Sequence, residues 1–446
     1  MFIKYEKGEP CLSDLEKQHN IMCLVGNGFD VAMLNRYRSG IVGSTSRYPD
    51  FYKYLNYYYD EELSSNRLYK KMKKEKEKND KKHEEDQNDN WSDFEELIRQ
   101  LVYESKETNS YIQNSKDESA RKKYEKFLVK IGEDLDQLRN YFSEFLRELI
   151  PARVLIDLNN DARENKRAYR TLQGFLCDLD GEEYKSMKFP TTLGKFDLYN
   201  YVFFDFNYTM LLDNYLSLDP DQFDPNEHKT VDRNFYFYAD PHELFDSCDR
   251  LNEGRKQKKK FAKKPILSSY LLMNIIHPHG IQDAPRSMIF GTEDEKYEKN
   301  GANKRFIKHH WGQNDLKYKK YFDDAELFII FGMSLGKSDG WWLGNIYKKL
   351  AESDSELIIY KYVGNEDDSN DSKTDLEKDL EIKETFISNC IFYGDEKYSE
   401  SQNDKESDIY KKVIDQIYIV RHEDNNNCFL GFSDIEIKKY DGQSEN

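Results

Sequence analysis

Ile21-Met-Cys-Leu-Val-Gly-Asn-Gly-Phe-Asp30 decides how this chain folds. An apolar run ends abruptly in Gly26-Asn27-Gly28, and an acidic side chain follows at Asp30. A run so short, stopped by glycines, predicts a buried parallel strand entering a tight turn rather than a helix. In open α/β sheets, ligands sit beyond the carboxyl ends of the strands, where glycines let backbone N–H groups approach phosphates. The dinucleotide fingerprint Gly-x-Gly-x-x-Gly is incomplete here, because no third glycine follows Asp30-Val31.

The same punctuation recurs downstream. Residues 199–206 (Tyr-Asn-Tyr-Val-Phe-Phe-Asp-Phe) stop at Asn207-Tyr208-Thr209, and residues 271–276 stop at His277-Pro-His279-Gly280. Residues 287–290 end in Gly291-Thr292, and residues 326–331 end in Gly332-Met-Ser334-Leu-Gly-Lys-Ser-Asp339. Residues 234–238 form a weaker strand signal, and 357–360 read as the last parallel strand. Residues 34–48 read as a loop. From about 51 to 176 the pattern is helical, most clearly where Phe127, Leu128, Ile131, Leu135, Leu138, Phe142, Phe145 and Leu146 recur at helical spacing. Apolar runs alternating with helical segments predict an α/β fold: a Rossmann-like, doubly wound, mostly parallel sheet with a large helical insertion. The expected boundaries are a nucleotide-binding core at 1–50 and 190–365, the insertion at 51–189, and a polar C-terminal extension at 366–446 whose structure the pattern leaves open.

Composition narrows the function. The chain has 446 residues, 34% of them charged, and a net charge of −17. Its aromatic content of 14% is far above that of disordered chains, so most of it should fold. The acidic balance argues against nucleic acid or an anionic membrane as partner, since both need a basic face. Residues 255–264, with seven Lys or Arg, read as a solvated basic loop, and 70–90 as a solvated charged stretch. Six scattered cysteines without Cys-x-x-Cys, and no apolar run of ~18–20 residues, point to a cytoplasmic protein.

Four clusters would meet at the strand ends: Gly26-Asn27-Gly28 with Asp30, Asn207 to Thr209, His277 with His279, and Gly332 to Asp339. Each has a plainer reading. The glycines suit any tight turn, Asp30 or Asp339 suits a helix cap, and Asn207 suits strand closure. The histidines could simply be packed with both nitrogens satisfied. Two histidines with no acidic or cysteine companion at ligand spacing argue against a metal, so no metal ligand is assigned.

Taken in order, Gly-Asn-Gly-Phe-Asp30, Asn90-Trp-x-Asp-x-Glu95, Phe206-Asn-Tyr-Thr209, His279-Gly280 and Gly332-x-Ser-Leu-x-x-x-Asp339 resemble the bacteriophage abortive infection AbiH family. The layout is also similar to sirtuin-like NAD-binding domains of prokaryotic defence proteins. It departs from those patterns at Met33, where AbiH has histidine, in the longer loop before Thr45-Ser-Arg-Tyr-Pro-Asp-Phe51, at Thr209, where sirtuin-like domains carry aspartate, and at Asn27. The resemblance implies an anti-phage effector that takes NAD as substrate or ligand. In it Asn207 would position water and His279 would act as base. Gly26, Asn27, Gly28, Asp30, Gly332, Ser334 and Asp339 would hold the dinucleotide. Alternatives are a nuclease and a non-catalytic nucleotide sensor. A phage-derived trigger and a homo-oligomer remain open.

Overall fold

The computed structural model describes residues 1–9, 12–37, 45–81, 93–113, 116–218, 236–238, 266–293, 304–364, 373–423 and 428–431. The basic loop at 255–264, Asn90-Trp91 and residues 82–90 of the charged stretch lie outside them. The strands are β1 (Gln18–Val25), β2 (Leu198–Asp205), β3 (Tyr236–Tyr238), β4 (Ile266–Ser268), β5 (Tyr270–Ile276), β6 (Leu327–Phe331), β7 (Glu356–Tyr362) and β8 (Ile417–His422). Six of them form one parallel sheet in the order β5-β2-β1-β6-β7-β8, while β3 and β4 pair antiparallel apart from it. Ranked by sequence, the six read 3-2-1-4-5-6, the Rossmann order, and the direction of winding reverses between β1 and β6.

Strands covered on both faces read as continuous apolar runs, and all eight residues of β2 are buried. One face (Ile21, Cys23, Val25, Tyr201, Phe203, Ile329, Phe331) shares a core with the helices between Tyr48 and Gly174. The longest, Glu118–Leu149, presents Leu128, Ile131, Leu135, Phe142 and Phe145 to that core and starts at Asp117, whose carboxylate accepts from the N–H of Ser119. The opposite face (Met22, Leu24, Phe204, Phe328, Ile330) packs on Trp341, Trp342 and Ile346 of the helix Gly340–Glu352. No helix among the described residues is long and apolar enough to cross a membrane.

At the amino ends of the strands, buried His19 ties three together. Its Nδ1 lies 2.7 Å from Glu326 and its Nε2 3.0 Å from Asp197. At the carboxyl ends the register is level: Val25 pairs with both Asp205 and Phe331, and Phe204 pairs with Ile276.

Three expectations need correction. The first helix runs Asn27–Tyr37, so Leu34 is a buried helical residue rather than the start of a loop. Residues 287–290 are not a strand: Pro285 opens a 3-10 turn, and only Thr292 bridges to Ile307. Nor is β7 the last strand, because β8 extends the sheet from within residues 373–423.

Candidate functional site

Gly26 and Gly332 face each other across the winding reversal. The N–H of Gly26 donates to the carbonyl of Phe331 at 2.9 Å, and that of Gly28 to the carbonyl of Gly332 at 2.9 Å. A Cβ on Gly28 would sit 2.7 Å from the Cα of Gly332, and one on Gly26 2.7 Å from its oxygen. These glycines therefore let two strand-end turns lock backbone to backbone, and two of the N–H groups assigned to phosphate are engaged there. Asn27 and Gly28 stay exposed, and Asn27 Oδ1 accepts from the hydroxyl of Ser46 at 2.5 Å.

Beyond that clasp lies an acidic group around the end of β2. Asn207 is buried, and its Nδ2 donates to the carbonyl of Gly26 at 3.2 Å. Its N–H donates to Asp205 Oδ1 at 3.0 Å, while Asp205 Oδ2 is buried without a hydrogen bond. Asp30 is likewise buried. Its Oδ2 accepts from Thr209 at 2.8 Å, and its Oδ1 has no partner, so its carboxylate does not cap its own helix. Burial pushes the Asp30 carboxyl up to about 7, and holds that of Asp205 well above the usual range, with Asp30 nearby adding to it. His277 closes the group, with Nε2 3.1 Å from Asp213 and Nδ1 3.9 Å from Asp205 Oδ2.

His279 belongs to a different neighbourhood. Gly280 has φ +86° and would set a Cβ 2.2 Å from the carbonyl of Ser287, so the chain doubles back and Ile289 donates to the carbonyl of His279. The imidazole packs edge-on to Phe206, ring centres 5.0 Å apart, and its Nε2 is buried without a bond. Burial, with Lys308 adding, drives its pKa well below the ordinary value, so the ring is neutral. Lys308, itself buried, pairs with Glu95 and lies 3.9 Å from Asp339. Burial pushes Glu95 up to about 7, against the pull of Lys308. Asp339 occupies the cap position of the helix Gly340–Glu352 yet makes no cap hydrogen bond, which removes the plainer reading of that residue.

A cavity of about 690 Å³ opens beside this second group, lined by Glu95, Glu293, exposed Ser334, Ser338, Asn389 and Phe392. Its loop is held in uncommon backbone geometry. Gly332 has φ +67° and buried Leu335 has φ +55°, and Asn389 donates to the carbonyl of Leu335 at 2.8 Å.

Over residues 22–362 the chain matches the family described as bacteriophage abortive infection AbiH. It belongs to the AbiH family. That membership supports a role in anti-phage abortive infection. No curated protein matches the chain. The quoted motifs at 26–30, 206–209, 279–280 and 332–339 lie at strand ends, and Asp93 and Glu95 open the helix Phe94–Tyr103, but several of the charged residues of the two groups carried no sequence signal. Lys308 lies in a polar stretch outside every motif, and Asp213 is one acid among many. Glu95 stood inside a motif without an assigned role. The candidate site thus has two halves: Asp30, Asp205, Asp213 and His277 in one, Glu95, Lys308, Asp339 and His279 in the other, with Asn207 bonded into the first.

Proposed function

We propose that this AbiH chain acts in abortive infection by binding NAD over the carboxyl ends of β1, β2, β5 and β6 and hydrolysing it to nicotinamide and ADP-ribose. The observation that carries the reading is His279: a neutral imidazole with an unbonded Nε2, at the end of β5 and against the residue preceding Asn207. Breaking the nicotinamide–ribose bond leaves an oxocarbenium-like ribose, and nicotinamide departs neutral, so no strong acid is needed. Water adds to the sugar carbon and loses its proton to the neutral imidazole, while the Asn207 amide orients it. The Rossmann order and the level strand ends support a dinucleotide lying across the reversal between β1 and β6. Exposed Asn27, Gly28 and Ser334 are the groups open to it. Gly26 and Gly332 contribute by holding the turns together.

Purified protein incubated with NAD should release nicotinamide, and Asn207→Ala and His279→Ala should each lower the rate by roughly 100-fold or more. In phage-infected cells, NAD should fall with the wild type and hold with His279→Ala. Binding of NAD without nicotinamide release, and unchanged NAD during infection, would sink hydrolysis and leave a nucleotide sensor.

A further inference from the structure

The acidic half of the site holds two buried carboxyl groups whose hydrogen-bonding capacity their surroundings leave unfilled. Asp205 from the end of β2, Asp213 from the helix Leu211–Leu216 and His277 from the end of β5 each offer one ligand atom, all within 4.8 Å of one another. Asp30 lies beside them, its Oδ2 accepting from Thr209, two residues beyond the Asn207 whose N–H donates to Asp205. Among the described residues, His277 is the only basic side chain within ion-pair distance of any of these carboxylates. Two carboxylate oxygens, Asp205 Oδ2 and Asp30 Oδ1, are fully buried and accept no hydrogen bond. An isolated buried carboxylate is costly unless it is paired or coordinates a metal.

We propose that Asp205, Asp213 and His277, with Asp30 beside them, form a binding site for a divalent cation. Imidazole nitrogen with carboxylate oxygen suits a first-row ion such as Mn²⁺ or Zn²⁺ better than Ca²⁺ or Mg²⁺, which favour all-oxygen shells. Ligand atoms about 2.0–2.2 Å from such an ion lie at most about 4.4 Å apart, so the present spread closes to that limit with less than an ångström of movement. Binding frees one ring nitrogen of His277 from its carboxylate contact, and any proton held there leaves to solvent. The site goes beyond NAD hydrolysis, whose chemistry needs no metal, and its test does not depend on nicotinamide release.

The full chain, dialysed against EDTA, is titrated with MnCl₂ while the signal of free Mn²⁺ is followed by electron paramagnetic resonance. An acidic protein binds Mn²⁺ loosely over its surface, so the decisive quantity is one tight equivalent per chain. We expect that equivalent in the wild type, weakened at least 10-fold in Asp213→Asn and in His277→Gln. Asp213 is partly exposed, with 28% of its side-chain surface open, so its amide variant should keep the fold; circular dichroism checks this. The thermal midpoint of the wild type should rise when Mn²⁺ is restored and that of Asp213→Asn should not. Absence of a tight equivalent for both Mn²⁺ and Zn²⁺, or its survival in both variants, overturns the site.

Discussion

Gly332 carries a constraint most glycines lack, since its φ of +67° and a Cβ position 2.8 Å from the N of Phe29 act together. Gly332→Ala should cost at least about 2 kcal/mol of unfolding free energy in denaturant titrations. Gly8, also at positive φ but with nothing within 4 Å of its Cβ position, should lose only about 1 kcal/mol on the same change. An equal loss at both would show that contact between the turns adds nothing. Lys308 makes a second point at this scale. Replaced by Met, it strands Glu95 and Asp339 without their positive partner, at a cost of about 3–5 kcal/mol. Glu95→Gln in the same chain should recover much of it, and a double-mutant cycle measures how much. Such residues also mark where sequence reading stops. Asn207 and His279 could be picked out because each ends an apolar run. The acidic companions of His277 are brought to it only by folding, Asp213 from 64 residues away, so spacing along the sequence does not show them.

Elements are joined at their amino ends by His19. Burial works against a charged imidazole there, but the bonds to Asp197 and Glu326 outweigh it, and the pKa is raised. A folded-state pKa above the unfolded value means the stabilisation is complete below about 6.5 and lost as pH rises through the raised value. The stability difference between wild type and His19→Gln should therefore be largest near pH 6 and shrink toward alkaline pH. A difference that grows with pH would show that the ring is neutral in the fold. Strands whose ends were glycine-marked were legible from sequence, because glycine reports a turn that other residues cannot make. β8 was not legible. Its run, Ile417 to His422, ends in no such signal and follows a long polar stretch. Residues 287–290 misled for the opposite reason, since Gly291 follows them while Pro285 directs the preceding chain into a 3-10 turn.

On the scale of the whole molecule, the AbiH match ends at Tyr362, the last residue of β7, whereas the sheet continues into β8. Residues beyond 364 also supply Phe386, Ile387 and Val413 to the core under Trp342. A chain cut after Gly364 would bare the edge of β7 and that apolar floor, so it should be recovered mainly as aggregate. Gel filtration of the truncated and full chains decides it: a monodisperse truncated peak would mean that the sheet does not need its sixth strand.

The position of β1 at the middle of the sheet bears on how the chain is made. Ile21 pairs with Tyr201 on one side and with Leu327 on the other, 180 and 306 residues later. At about 5–20 residues per second, some 15–60 s separate the synthesis of β1 from that of its second neighbour. For that interval an apolar strand stays half open at the ribosome, and contacts so distant in sequence make closure slow even afterwards. The first strand to emerge is among the last to be enclosed, so the burden on holding chaperones should fall on the nascent chain rather than on the finished protein.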